Sequence, residues 1–203
     1  AMGSGHILVY AFDVFYEIYS KCGYMEREIP RLIIENNLYG LDIDDRAYQL
    51  ACFSVVMKAL KYNRRFLRSI EREGLKLNLA SIQETNGWSE DDMAYVAGGS
   101  SGKNFEFLKE YIEQYSNAKT YGSLIRVINT NTDFIRDRLQ SIESVPSEDI
   151  FQDERRERIL SLLPKLLKQT DIMGKQYDVV ILNPPYMGSR NMNKELSDFL
   201  KIN

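Results

Sequence analysis

Tyr177-Asp178-Val179-Val180-Ile181-Leu182, followed by Asn183-Pro184-Pro185-Tyr186, is the stretch that decides how this chain is read. A short apolar run of this kind reads as a parallel strand buried on both faces. It runs into two prolines, which end a ladder and set a stiff, extended turn. Asn183 and Tyr186 are then expected at the carboxyl end of a strand, where open α/β sheets place ligands. An amide, a rigid carbonyl and a flat ring suit the holding of a planar amine for alkylation. The plainer alternative is a strand that ends in a Pro-Pro turn, with Tyr186 packed on the core.

The exocyclic amine of adenine is a poor nucleophile because its lone pair is delocalised into the ring. Two acceptors on its N–H bonds favour a tetrahedral nitrogen with the lone pair aimed at an electrophile, and no strong base is then needed. The Asn183 side-chain oxygen and the Pro184 carbonyl supply one acceptor each in this reading. Pro185 stiffens the turn, and Tyr186 stacks on a base that has left its duplex.

Two more stretches stand in order before this one. Gly3-Ser4-Gly5-His6 opens a helical pattern. Glycines there let the backbone approach a ligand, and a helix N-terminus presents free N–H groups. Leu38-Tyr39-Gly40-Leu41-Asp42-Ile43-Asp44 then reads as a strand ending in acids. An acid in that place can bind ribose hydroxyls, or simply cap the following helix.

Asn183 to Tyr186 resembles motif IV of amino-methyltransferases that use S-adenosyl-L-methionine, and Gly3 to His6 resembles the end of their motif I. The resemblance extends over Asn36 to Arg46, Tyr121-Gly122-Ser123-Leu124-Ile125 and Asn183 to Ser189. Together these look like the adenine-specific DNA methyltransferases of BREX phage-defence systems, the PglX-like family, with related fused restriction–modification enzymes sharing much of it. The resemblance implies catalysis by Asn183, Pro184, Pro185 and Tyr186, and cofactor binding by Gly3, Ser4 and Gly5. It also implies that Asp42 binds the cofactor ribose and that Ile43 lies against its adenine. Ser81 and Ile82, within Ser81-Ile82-Gln83-Glu84, fall where the family's motif III contacts that adenine.

The fold implied is a Rossmann-like α/β methyltransferase core, truncated before its first strand, with a helical insertion. Residues 1–85 are the cofactor half, 86–170 the insertion, and 171–203 the catalytic strand and Asn-Pro-Pro-Tyr loop. Strands are expected near 38–43, 75–82 and 177–183. The chain reads as an excised piece of a longer catalytic domain that meets double-stranded DNA through regions absent here. The piece itself is expected to be inactive, with a loosely held glycine turn and with unpaired strand edges that favour self-association, a rearranged sheet or a loop filling the gap. Other readings remain: a scaffold that docks other defence-system subunits, or an N-methyltransferase acting on RNA or on a protein glutamine.

Composition agrees with a cytoplasmic globular domain. At 203 residues with 44% hydrophobic and 27% charged residues, a sizeable core is affordable and disorder is not expected. No apolar run reaches membrane length, so no membrane partner is expected. One histidine and two separated cysteines, Cys22 and Cys52, lack metal-ligand spacing, and no metal is predicted. Both thiols fall in helical patterns and are expected buried and reduced. The net charge of −3 argues against strong DNA binding by this piece alone.

Periodicity predicts helices over 7–24, 28–37, 44–65, 88–96, 105–116, 132–142 and 149–169. Gly98-Gly99-Ser100-Ser101-Gly102-Lys103 is one residue short of a phosphate loop and follows no strand, so it reads as a surface loop. Lys58, Lys61, Arg65, Arg68 and Arg72 form one basic stripe if the third helix continues past Asn63. Otherwise they are a solvated face.

Overall fold

The computed structural model describes residues 2–128, 130–144 and 150–182, which divide into two compact units. Among the described residues, 2–81 and 179–182 belong to the first and 82–178 to the second. The protein is an α/β chain, mostly helical, with a small parallel sheet of two strands.

The first unit is built around a strand–helix–strand crossover. Helix α1 (His6–Lys21) leads to the short α2 (Ile29–Leu32), which continues into a π-helical turn, Ile33–Asn37. Strand β1 (Tyr39–Asp42) follows, then α3 (Asp45–Tyr62), α4 (Phe66–Glu73) and strand β2 (Asn78–Ser81). Parallel strands need such a crossover, because a tight turn cannot bring the chain back in the same direction. The register pairs Tyr39 with Asn78, Gly40 with Leu79, Leu41 with Ala80 and Asp42 with Ser81. Local signals set the helix ends. Asp44 caps α3, its side chain accepting the Arg46 N–H at 2.8 Å. Asn63 is extended (φ −136°, ψ 97°) and stops α3.

The core joins Phe12 of α1, Ile29, Ile33 and Ile34 of the second segment, Ala51 and Val55 of α3, Phe66 of α4 and Leu79 of β2. Each large side chain buried there contributes about 1.5–3 kcal/mol relative to exposure. Polar ties hold its rim. The Asn78 amide donates to the Glu35 carbonyl at 2.7 Å, satisfying a carbonyl that the π turn leaves open. Arg31 donates to Glu35 at 2.8 Å, to the Ser69 hydroxyl at 2.9 Å and to the Gly74 carbonyl at 2.9 Å, fastening α2 to α4. Asp13 of α1 accepts from Lys58 at 2.6 Å and from the Tyr62 hydroxyl, fastening α1 to α3. Hydrogen bonding to Asp13 pushes the Tyr62 phenol up to about 12.

The second unit is helical among its described residues: α5 (Glu90–Ala97), α6 (Lys103–Glu113), α7 (Ala118–Tyr121), a 3-10 turn (Gly122–Leu124), α8 (Asp133–Ser144) and α9 (Ile150–Met173). Ser89 and Asp92 form a capping box that starts α5. Asp92 is buried and also takes Arg158, with Arg155 at 3.4 Å, so α9 is tied to α5. Tyr111 and Tyr115 of α6 meet Thr170 of α9 at 2.8 and 2.7 Å, all three buried. Thr170 donates in turn to the Leu166 carbonyl at 2.8 Å. Both tyrosines therefore donate to Thr170, and every hydroxyl in the cluster is satisfied.

Several expectations are corrected. The run 177–182 is not a buried strand: it forms no ladder, and Val179 to Leu182 are all exposed. A strand exists only where a neighbouring edge takes its backbone groups. Here the Leu41 carbonyl on the edge of β1 accepts the Met2 N–H at 3.0 Å instead. Tyr177 meanwhile turns back, its hydroxyl donating to the Ile172 carbonyl near the end of α9 at 2.7 Å. The condition for a basic stripe is not met, because Asn63 separates α3 from α4 and Lys58 is spent on Asp13, which leaves the reading of a solvated face. Cys22 is exposed and Cys52 half-buried, both as free thiols. The glycine turn is not loosely held, as the site geometry shows. The surface-loop reading of 98–103 agrees with the structure, where Gly98 ends α5 in the left-handed region and Gly102 precedes α6. No described helix is long and apolar enough to cross a membrane.

Candidate functional site

The carboxyl end of β1 gathers the features that the sequence singled out in the first unit. Asp42, the last residue of the strand, is 8% exposed. Its carboxylate accepts the Gly3 N–H at 2.8 Å on one oxygen and the Asp44 N–H at 3.1 Å on the other. Two backbone donors fix the carboxylate plane, and each oxygen keeps a lone pair for a further donor. The Gly3 bond spans 39 residues, so it ties the glycine turn to the strand end directly.

The turn is anchored at two more points. Met2 donates to Leu41, and Gly5 donates to the Met2 carbonyl at 3.1 Å. Gly5 has φ +89°, and a Cβ on it would lie 2.9 Å from Ala51 Cα, so α1 and α3 approach here through the absence of a side chain. Gly40 plays the matching part in β1: a Cβ there would meet the Met2 sulfur at 2.6 Å and Leu79 Cδ2 at 3.1 Å. Helix α1 begins at Gly5 with no side-chain cap, so its first N–H groups have no side-chain acceptor. Ser4 instead bonds His6, its hydroxyl 2.7 Å from Nδ1.

Ser81 is the register partner of Asp42 on β2 and is buried. Ile43, just beyond Asp42, is 45% exposed and offers an apolar face beside the acid. Ile82, assigned to the second unit, is buried. Thus Gly3 and Asp42 are bonded, Ser81 lies across from Asp42, and Gly5 packs on α3. Asn183, Pro184, Pro185 and Tyr186 lie outside the described residues.

Three carboxylates, Asp42, Asp44 and Asp45, stand at this end of the crossover. Such an acceptor-rich rim suits hydroxyl donors and a cationic ligand, and it repels phosphate. A glycine turn leading into a helix would otherwise suggest a pyrophosphate site. The sequence reading missed Met2, Gly40 and Ala51 as parts of this arrangement. Gly40 carried the signal, since glycine inside a strand often marks a close approach.

Residues 36–203 match the family described as the Eco57I restriction-modification methylase. The adenine-specific methyltransferase BrxX of Escherichia coli O9:H4 (strain HS) is 36% identical over 221 residues, covering 99% of this chain and 18% of that protein. The adenine-specific methyltransferase PglX of Lacticaseibacillus casei (strain Zhang) is 35% identical over 207 residues, covering 98% of this chain and 16% of that protein. The chain therefore spans a small part of the curated relatives that it matches.

Proposed function

Because this chain belongs to the Eco57I restriction-modification methylase family, we propose that it is part of the catalytic domain of a DNA adenine N6-methyltransferase. The enzyme acts in phage defence or restriction–modification, in the cytoplasm, on double-stranded DNA. The observation that carries the reading is the bond between Gly3 and Asp42 at the carboxyl end of β1. It sets a fixed acid beside a glycine turn within a crossover that we read as half of a Rossmann-like core. Residues 1–85 are the cofactor half, 86–170 a helical insertion, and 171–203 carry the Asn-Pro-Pro-Tyr loop.

The residues at this end fit S-adenosyl-L-methionine. When bound, that cofactor supplies a methyl group on a sulfonium. Asp42 would accept the ribose hydroxyls with its remaining lone pairs. Gly3, Ser4 and Gly5 would let the backbone approach, and Ile43, Ser81 and Ile82 would border the adenine. The acidic rim favours a cationic ligand over a nucleotide phosphate.

Asn183 and the Pro184 carbonyl would take the two N–H bonds of a flipped adenine, turning its nitrogen lone pair toward the methyl group. Pro185 would hold the turn, and Tyr186 would stack on the base. In the full-length protein, Asn183→Ala should abolish N6-methyladenine while cofactor affinity stays near wild type, because the lost acceptor acts in the transition state. Tyr186→Ala should lose stacking of about 1–3 kcal/mol, and Tyr186→Phe little. Wild-type methylation by the Asn183 variant, read by methylome sequencing, would overturn the mechanism.

A further inference from the structure

Helix α3 carries the chain 18 residues away from Asp44, about 27 Å at 1.5 Å per residue, so its far end is remote from the candidate cofactor turn. An open cleft of about 690 Å³ lies there, lined by Met25, Glu26, Arg27, Tyr62, Asn63, Arg64 and Arg65. It is formed by two loops, one between α1 and α2 and one between α3 and α4. Asn63 keys them together. Its amide nitrogen donates to the Arg27 carbonyl at 3.1 Å, and its side-chain oxygen accepts the Arg65 N–H at 3.0 Å. The loops therefore present their arginines in a fixed relation.

Lys61, Arg64, Arg65 and Arg68 are exposed, and among the described residues none of them has an ion-pair partner. Arg27 pairs with Glu28 at 3.6 Å only across open surface, where such a pair is weak. Glu26 is the one acid lining the cleft. From Lys61 to Arg72 the sequence holds five basic residues against Glu71, in a chain whose net charge is −3. The break after Tyr62 that ends the helical spacing is what sets Arg64 and Arg65 in one cleft with Arg27.

We propose that this cleft is a sequence-independent docking site for the phosphodiester backbone of nucleic acid, separate from the candidate methyl-transfer site. Guanidinium groups match phosphate with two parallel hydrogen bonds, and fixed loops lose less entropy on binding than free side chains. The choice of nucleic acid as the polyanion rests on the proposed function; the cleft and its unpaired cations do not.

The test is fluorescence anisotropy of a short labelled duplex of arbitrary sequence, titrated with the 203-residue chain at several salt concentrations. Binding at low salt is expected, with log K falling linearly in log salt. Arg64→Ala/Arg65→Ala should flatten that slope by about 2, near 0.9 for each phosphate no longer neutralised. An unchanged slope, no binding by the wild type, or full displacement by inorganic phosphate at matched ionic strength would overturn the proposal. The readout involves neither cofactor nor methylation. Failure here leaves the Asn183 experiment unaffected, and failure there leaves this slope unaffected.

Discussion

Gly5→Ala tests whether the closeness of α1 and α3 depends on a missing side chain. Two costs add at this position. The residue sits at φ +89°, and an L side chain in the left-handed region costs about 1–2 kcal/mol. The new methyl would also lie 2.9 Å from Ala51 Cα and 3.1 Å from Ala51 Cβ, against backbone that cannot swing away. Overpacking of that kind costs about 1–3 kcal/mol. The sum, about 2–5 kcal/mol, is a large share of a typical domain's 5–15 kcal/mol. Gly3→Ala is the control: its φ is +53°, nothing lies within 4 Å of the added methyl, and its N–H to Asp42 is kept, so only the conformational cost applies. The assay is urea unfolding followed by far-UV circular dichroism, because the single tryptophan, Trp88, reports the second unit. With a slope of about 2 kcal/mol per molar urea, Gly5→Ala should unfold at about 1 M less urea than Gly3→Ala. In an Ala51→Gly background the Gly5 substitution should cost less, although not nothing, since the backbone at position 51 still crowds the new methyl. Equal midpoints for the two glycine variants would refute the close-approach argument.

In the second unit, Thr170→Val should destabilise by about 2–6 kcal/mol, since it leaves two buried tyrosine hydroxyls without an acceptor at about 1–3 kcal/mol each. Tyr111→Phe alone should cost about 1 kcal/mol, and both phenylalanines together should recover much of the valine loss, all read by Trp88 fluorescence in urea. Asp92→Asn should remove an acid-sensitive part of that unit's stability. Burial pushes the Asp92 carboxyl up, but the Ser89 hydrogen bonds and Arg158 outweigh it and hold it below its usual range. A depressed folded value stabilises above the unfolded pKa of about 3.9 and loses that contribution as pH falls through the folded value. Wild type should therefore lose stability relative to Asp92→Asn below about pH 4, and parallel urea midpoints for the two from pH 7 to pH 3 would contradict it.

The sequence by itself determined the elements whose signals are local. The apolar spacing of Leu8, Phe12 and Phe15 made α1 legible, and the acids at the end of Leu38–Asp44 marked both β1 and the cap of α3. The glycine turn and Asp42 were visible as two separate matches, and the structure joins Gly3 to Asp42 with one hydrogen bond. Tertiary structure alone decided what depends on a distant partner. Apolar content marks 177–182 as fit for a strand, but a strand needs a free edge, and the Leu41 carbonyl is taken by Met2. The helical spacing from Lys58 to Arg72 left open whether the helix runs past Asn63, and only the structure shows Asn63 extended and dividing α3 from α4. Nor could spacing show that Thr170 would meet two tyrosines more than fifty residues away. Helix periodicity and caps are written in neighbouring residues, whereas ladder edges, close approaches and buried hydroxyl clusters depend on which surfaces folding brings together.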